Sequence, residues 1–203
     1  MTTLDEDKHE EVRISLRALS KAADVEDLQR VLAEAPRYFV NVSGALPSAK
    51  EAKSLFEALP PNFSPDAKFV LGLELRSAPQ DKSSQHGSDS AAPQTLIGCI
   101  DVLIGYPSQE TAMLGLLVIS ERHQSKGYGR EALALLEDHL RQYPQIQKIR
   151  IGVVETNSEV LSFWKKQGFA ETGERKPYVN GDIRSEVLVL ERFLHTAPRS
   201  HAE

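Results

Sequence analysis

The sequence predicts one domain with mixed α and β structure. The chain has 203 residues, which suits a single domain of ordinary size. Short apolar runs with the pattern of β-strands alternate with longer runs of helical period, and this alternation is typical of an α/β layer fold. Apolar residues make up 40% of the chain and charged residues 26%, as in globular proteins generally.

Four elements are predicted in the first 76 residues, two of them strands and two of them helices with apolar side chains three or four residues apart. Asp24 is expected to cap the first helix, and Pro60 ends the second because proline cannot continue a helix. The strands are 12–17 and Lys68–Leu75, and the helices are 21–34 and Ser48–Leu59.

Seven elements are predicted after residue 95. The two most apolar strands suit the centre of a sheet. Thr156 and Glu159 have the spacing of a capping box at the start of the last helix, and Gly168 suits the left-handed position after it. The strands are Leu96–Ile104, Ala112–Ile119, Lys148–Val154, 171–178 and 184–193, and the helices are Arg130–Tyr143 and Thr156–Gln167.

Three segments are expected to lie outside the packed structure. Residues 1–11 are acidic and polar and are predicted to be a flexible N-terminus. Residues 77–95 are rich in Ser, Pro, Gln and Asp without any apolar period, so they are predicted to form a mobile hairpin loop between two strands. With a flexible tail at 195–203, the single domain would span residues 12–194.

Charge and cysteine content exclude several classes of protein. The net charge of −5 argues against a broadly basic nucleic-acid-binding domain. Cys99 is the only cysteine, so there is neither a disulfide framework nor a multi-cysteine zinc site, and no metal is expected. The acidic start lacks the layout of a signal peptide, and no apolar run approaches the ~18 residues that cross a bilayer. We therefore expect a cytoplasmic protein that binds neither nucleic acid nor membrane.

The segment 116–130 carries the clearest functional pattern. An apolar strand leads through a polar loop into Gly127-Tyr-Gly129 and a helix. Glycines let backbone N–H groups approach a ligand closely, and the first N–H groups of a helix attract anions. The pattern indicates a phosphate site, although two glycines also suit a simple strand-to-helix turn. The positive side chains beside it are Arg122, Lys126 and Arg130.

Two motifs resemble those of the GNAT superfamily of acyl-CoA N-acyltransferases. Gln124-Ser-Lys-Gly-Tyr-Gly129 is similar to the family's Gln/Arg-x-x-Gly-x-Gly/Ala coenzyme motif. Downstream, a strand is followed by Asn157, a short helix and Phe163-Trp-Lys-Lys-Gln-Gly-Phe169, again in the family's order. The resemblance covers residues 12–193. It implies a mixed, mostly antiparallel central sheet that carries helices on both faces and splays between its two central strands.

The resemblance also implies a donor, acetyl-CoA, and roles for particular residues. Val118 and Ile119 would offer backbone groups to the pantetheine arm in the manner of a further strand. The N–H groups of the glycine loop would hold the diphosphate, and Asn157 would contact the coenzyme. The implied coenzyme-binding residues are Val118, Ile119, Gln124, Ser125, Lys126, Gly127, Tyr128, Gly129, Arg130, Asn157 and Trp164.

Two features depart from the family pattern. Trp164 stands where many relatives carry a tyrosine that protonates the leaving thiolate, and an indole N–H is far too weak an acid for that step. We expect either that Trp164 packs against or hydrogen-bonds the coenzyme, or that water or another group protonates the thiolate. Between Val118 and Gln124 the chain has one residue more than the commonest relatives in the family, and a strand bulge would absorb it.

The implied reaction is direct attack of a primary amine on acetyl-CoA in a ternary complex, which requires a general base. Asp101 and Glu110 are the candidate catalytic carboxylates, and Glu155 is a third. Asp101 stands out because a carboxylate in an apolar strand is costly unless it is paired or functional. His123 is expected to be a surface residue.

The acceptor would be a small-molecule amine or a protein amine, and a homodimer paired through the C-terminal strand is compatible with the pattern. The alternative function is a non-catalytic acyl-CoA-binding sensor or interaction module with the same fold.

Overall fold

One sheet runs through the residues that the computed structural model describes, 13–76 and 95–194. Its strands are β1 (Ile14–Ala18), β2 (Lys68–Leu75), β3 (Thr95–Ile104), β4 (Thr111–Ile119), β5 (Lys148–Val154), β6 (Ala170–Asn180) and β7 (Ile183–Phe193). They lie side by side in the order β1-β2-β3-β4-β5-β7-β6. The predicted flexible ends and nearly all of the predicted 77–95 loop lie outside the described residues, whereas Thr95 begins β3.

The sheet is antiparallel except at its centre. Across the described strands, β4 and β5 alone pair in parallel. Their pairing covers only Thr111–Leu114 of β4, although β4 continues to Ile119 and β5 to Val154. The two strands therefore separate beyond Leu114, which confirms the predicted mixed sheet with a central splay.

Helices cover both faces of this sheet. In the described ranges they are α1 (Lys21–Ala33), α2 (Pro36–Ser43), α3 (Glu51–Glu57), α4 (Tyr128–Leu140) and α5 (Leu161–Lys166). Cys99 packs with Leu28 of α1, whereas its neighbour Ile100 packs in a second cluster with Leu133 of α4. Because successive side chains of a strand point to opposite faces, α1 and α4 lie on opposite sides of the sheet. Each such buried leucine contributes about 1.5–3 kcal/mol relative to exposure.

Two helices differ from the prediction at their N-termini. Ser20 rather than Asp24 caps α1, since its side chain accepts a hydrogen bond from the backbone N–H of Ala23. Asp24 is buried instead, where its carboxylate accepts from the N–H of Ser20 at 2.7 Å and pairs with Arg17 at 2.9 Å. The predicted helix Arg130–Tyr143 begins two residues earlier and ends at Leu140.

The predicted helix Thr156–Gln167 is two elements. A 3-10 turn, Glu155–Val160, is kinked at Asn157 and precedes α5. Thr156 and Glu159 do not form a capping box, because both side chains bind Asn41 of α2 instead. Gly168 takes the left-handed conformation predicted for it, with φ of 82°.

A bulge in β4 lies at the start of the splay. Asp101 pairs with Leu116 and Val102 with Leu114, so Gly115 is the extra residue. The predicted bulge between Val118 and Gln124 is absent, because Glu121–His123 forms a 3-10 turn there.

No helix within 13–76 or 95–194 is both long and apolar enough to cross a bilayer. In the same ranges, no group of three or more His, Cys, Asp or Glu side chains is arranged to hold a metal ion.

Candidate functional site

A cavity of about 640 Å³ lies where β4 and β5 separate. Residues of both strands line it, together with residues of α2, α4, α5 and the loop before α4. Its strand residues are Leu114, Gly115, Leu116, Leu117, Ile119, Ile151, Gly152, Val153 and Val154. Because the two strands have no mutual pairing here, their backbone groups can bond to a ligand lying between them.

The loop before α4 lines this cavity and has an unusual backbone conformation. Ser125 and Gly127 both have positive φ, 60° and 87°, and such a conformation is uncommon for a residue with a side chain. No side chain caps α4, and the N–H groups of Arg130 and Glu131 bond back to the carbonyl of Gly127. The helix N-terminus is therefore available to an anion, with the helix dipole adding positive potential.

Side chains within the loop hold it to the end of β4. Gln124 Nε2 donates to the carbonyl oxygen of Ile119 at 2.8 Å, so these two predicted coenzyme residues also bind each other. Ser120 Oγ and His123 Nδ1 lie 2.7 Å apart. His123, expected at the surface, lines the cavity, where burial and the nearby Arg122 lower the pKa of its imidazole. This shift favours the neutral imidazole.

The positive side chains are not equally placed. Arg130 lines the cavity, whereas Arg122 and Lys126 do not. Arg122 instead forms an ion pair with Glu34 at 3.1 Å. Of these three basic side chains, Arg130 is therefore the one placed to contact a ligand in the cavity.

The second glycine of the motif permits close packing of two helices. A Cβ at Gly129 would lie 3.1 Å from Cζ of Phe163 in α5. Phe163 packs edge-on against Trp164, which packs in the same way against Phe169, with ring centroids 5.1 and 5.2 Å apart. Trp164 is 8% exposed and lines the cavity, as a packing role would require.

Asn157 lies within the 3-10 turn that follows β5, and its side chain is buried against α2. Its Oδ1 accepts a hydrogen bond of 3.0 Å from Asn41 Nδ2. Because Asn157 also lines the cavity, this bond ties α2 to the end of β5 at the cavity wall.

Asp101 lies directly behind the bulge in β4. Its Oδ2 is 3.0 Å from the position that a Cβ on Gly115 would take, and Gly115 lines the cavity. Lys68 Nζ lies 2.7 Å from Asp101 Oδ1, and both side chains are nearly buried. Burial raises the pKa of the Asp101 carboxyl, and the Lys68 ammonium opposes that rise. The paired state allowed for Asp101 in the sequence analysis is therefore met by Lys68 of the neighbouring strand β2.

Glu110 lies at the opposite end of β4. Its side chain is exposed, and its carbonyl oxygen accepts from the N–H of Gln147 just before β5. The structure does not bring Glu110 to the cavity. Glu155 is likewise absent from the lining and bonds to Arg175 at 3.4 Å.

Nine of the eleven residues predicted to bind coenzyme line the cavity: Ile119, Gln124, Ser125, Gly127, Tyr128, Gly129, Arg130, Asn157 and Trp164. Val118 and Lys126 do not. The side chain of Val118 packs on the α1 side of the sheet, and its backbone pairs with Cys99 of β3.

Sequence reasoning missed the contribution of α2, which supplies Arg37, Tyr38 and Val42 to the cavity. Burial raises the pKa of Tyr38, so its hydroxyl keeps its proton at physiological pH. Two signals mark this helix in the sequence: Pro36 at its first position and Gly44, with φ of 73°, just after its end.

Comparison with known proteins agrees with this architecture. The model of the Acetyltransferase (GNAT) family matches residues 53–169, more than half of the chain. No protein in a curated set of sequences matches the chain significantly.

Solved structures show the same fold. An acetyltransferase from Thermus thermophilus is 24% identical, with a TM-score of 0.63 and coverage of 90% of this chain and 97% of that one. Spermidine N-acetyltransferase from Vibrio cholerae, solved with CoA and spermine, is 17% identical, with a TM-score of 0.63 and coverage of 90% and 96%.

A third similar structure is the ribosomal-protein-S18-alanine N-acetyltransferase from Escherichia coli, 15% identical, with a TM-score of 0.59 and coverage of 94% and 99%. With the family model matched over the glycine loop, the splay and α5, this chain belongs to the GNAT acetyltransferase family.

Proposed function

We propose that this protein transfers an acetyl group from acetyl-CoA to a primary amine by direct attack in a ternary complex. One observation carries the proposal: the cavity in the splay leads to the uncapped N-terminus of α4. A long donor with an anionic end and an amide-containing arm fits both features. The arm would lie along β4, and the diphosphate would sit at Gly127 and Arg130.

A thioester is already activated, so positioning and charge stabilisation provide much of the rate enhancement. Beyond Leu114, β4 has no strand partner on its β5 side, and backbone N–H groups there would stabilise the developing oxyanion. Trp164 would pack against the donor, and water or another group would protonate the leaving thiolate. Tyr38 stays protonated, so it can donate a hydrogen bond to a group in the cavity.

Asp101 is the carboxylate we propose as general base. It lies behind the cavity lining at Gly115, and burial raises its pKa towards neutrality, where a base is more effective. The Lys68 ammonium, 2.7 Å from Oδ1, favours the ionised carboxylate and opposes that rise. The position of Glu110 at the far end of β4 makes it the weaker of the two candidates.

Coenzyme binding and turnover test the proposal directly. Calorimetry with acetyl-CoA should give saturable binding, and thiol release should follow over a panel of amines that includes spermidine and a peptide with an N-terminal alanine. The two named relatives suggest those members of the panel. Absence of acetyl-CoA binding at millimolar concentrations would reject the proposal.

The role of Asp101 has its own test. The base must be ionised, so kcat/KM should fall as the pH drops through the pKa of Asp101, which lies above 3.8. Asp101→Asn should lower kcat by about 100-fold and remove that acidic limb. Glu110→Gln is the matched control and should leave both unchanged. A melting curve for each variant checks folding, because the substitution leaves Lys68 buried without its carboxylate.

Two observations favour a second function, a non-catalytic acyl-CoA-binding module. Asp101 already has an ion-pair partner, and Trp164 is a poor acid. Tight acetyl-CoA binding without turnover on the amine panel would favour this alternative, whereas turnover abolished by Asp101→Asn would exclude it.

A further inference from the structure

We propose that Arg13, which lies 113 residues before Lys126 of the glycine loop, is a positioning residue that holds this loop ready for the coenzyme diphosphate. The inference rests on the proposed function. It concerns a residue outside both motifs and outside the residues matched by the family model.

Arg13 contacts the loop and the first turn of α4 at several points. Its Nη2 donates to the carbonyl oxygen of Lys126 at 2.7 Å. Its backbone N–H and Nε donate to the carboxylate of Glu131 at 3.0 and 2.8 Å, and Nη2 contacts the same carboxylate. The guanidinium lies over the ring of Tyr128, 4.7 Å from its centroid. One side chain thus contacts residues on both sides of Gly127.

The contact with Glu131 matters because of its charge. Glu131 lies in the first turn of α4, where its carboxylate would repel an incoming diphosphate, and its side chain is only 11% exposed. A bidentate arginine offsets that charge more completely than a solvated lysine would. Arg13 therefore keeps the helix N-terminus positive as well as fixing the path of the loop.

Arg13 Nη2 contacts the loop backbone at two consecutive residues, Lys126 and Gly127. A Cβ at Gly127 would lie 3.1 Å from Arg13 Nη2, so the guanidinium packs directly on the glycine with φ of 87°. The carbonyl of Lys126 is held by the same Nη2, which fixes the peptide group preceding Gly127. Both contacts preorganise the N–H groups that we assign to the diphosphate.

The test compares two donors and two arginines. Acetyl-CoA carries the diphosphate, whereas S-acetylpantetheine lacks it and should use only the splay. Arg13→Ala is compared with Arg17→Ala. Arg17 also binds carboxylates, those of Asp24 and Glu74, and its side chain is 46% exposed against 43% for Arg13, but it has no contact with the loop.

We expect Arg13→Ala to raise the Kd of acetyl-CoA by about tenfold or more and the Kd of S-acetylpantetheine by less than about twofold. Arg17→Ala should leave the Kd of both donors unchanged. Equal weakening of both donors, or an unchanged Kd for acetyl-CoA, would overturn the proposal. If the wild-type protein binds neither donor, the proposed function itself fails, and the variants are not needed to show it.

Two further variants test the charge argument. Glu131→Gln added to Arg13→Ala should recover about half of the lost affinity on a logarithmic scale. The second substitution removes the negative charge that Arg13→Ala leaves without its arginine partner. No recovery would contradict the electrostatic role. Arg13→Lys keeps the charge without the fork and should fall between the wild type and Arg13→Ala. It also serves as the test variant if Arg13→Ala does not fold.

Discussion

At the scale of single residues, the site depends on three glycines. Gly127 provides a positive φ, Gly129 permits α5 to approach α4, and Gly115 brings the cavity wall next to Asp101. The motif Gly127-Tyr-Gly129 therefore combines conformational and packing requirements with the proposed anion binding. The positive φ accounts for the glycine at 127, and the close packing of Phe163 accounts for the glycine at 129.

The charge at Gly127 can be separated from its conformation. Asp and Asn have nearly the same size, and both tolerate the left-handed region. We expect Gly127→Asp to weaken acetyl-CoA binding at least about tenfold more than Gly127→Asn, because only the aspartate repels the diphosphate. Calorimetry on both variants measures the difference. Equal affinities would place the diphosphate away from this loop.

At the scale of elements, segments with a clear apolar period were predictable, and α2, which has none that the sequence analysis detected, was not. The central strands β3 and β4 and the helix α4 lie close to their predicted limits, since each has a continuous apolar run or a clear helical period. The eight-residue α2 contains few strong helix formers and was missed, although it supplies part of the cavity.

In the candidate site too, features with a local sequence pattern were predictable, and features that depend on tertiary structure were not. The loop 124–130 was predictable because glycines and a helix start have a sequence pattern. The proximity of Asp101 to Gly115, and the pairing of Asp101 with Lys68, depend on the register of β2, β3 and β4. Register between strands is a tertiary property, so no local pattern predicts it.

The start of α1 has a pH-dependent stability. Hydrogen bonds from Arg17 and from the N–H of Ser20 lower the pKa of Asp24 below its ordinary 3.8. A carboxyl with a lowered pKa stabilises the fold above the unfolded-state pKa, and this contribution is lost as the pH falls through the folded-state pKa.

Asp24→Asn should therefore lower the free energy of unfolding by about 1–2 kcal/mol at pH 7, and the difference should shrink below pH 4. Urea titrations at several pH values measure both effects. Asp27→Asn is the control, because Asp27 is 69% exposed in the same helix and its pair with Arg30 should be worth little. A difference for Asp24→Asn that is constant down to pH 2 would contradict the assignment.

At the scale of the whole molecule, topology places the cavity. Two adjacent parallel strands need a long crossover, and α4 provides it between β4 and β5. The crossover begins at the carboxyl end of β4, which is also where the two strands part. The anion-binding end of α4 and the mouth of the splay are thus brought together by the connectivity of the chain.

Because a bound donor would bridge the two halves of the sheet, it should stabilise the whole fold. At 100 times its Kd, a ligand adds about 2.7 kcal/mol, and for a chain of this size that raises Tm by about 5–10 °C. Differential scanning fluorimetry with acetyl-CoA measures the shift, and ATP at the same concentration is the control for nonspecific binding of phosphates. An equal shift with ATP would indicate a general nucleotide site instead.

The bulge and the short parallel pairing leave the C-terminal end of β4 with backbone groups that face a gap. A ligand recognised there is read by peptide atoms, which every residue type except proline provides in full. Scanning this stretch with alanine would consequently report on core packing and miss the recognition altogether. Backbone changes, such as an amide-to-ester replacement, are the alterations to which such recognition is sensitive.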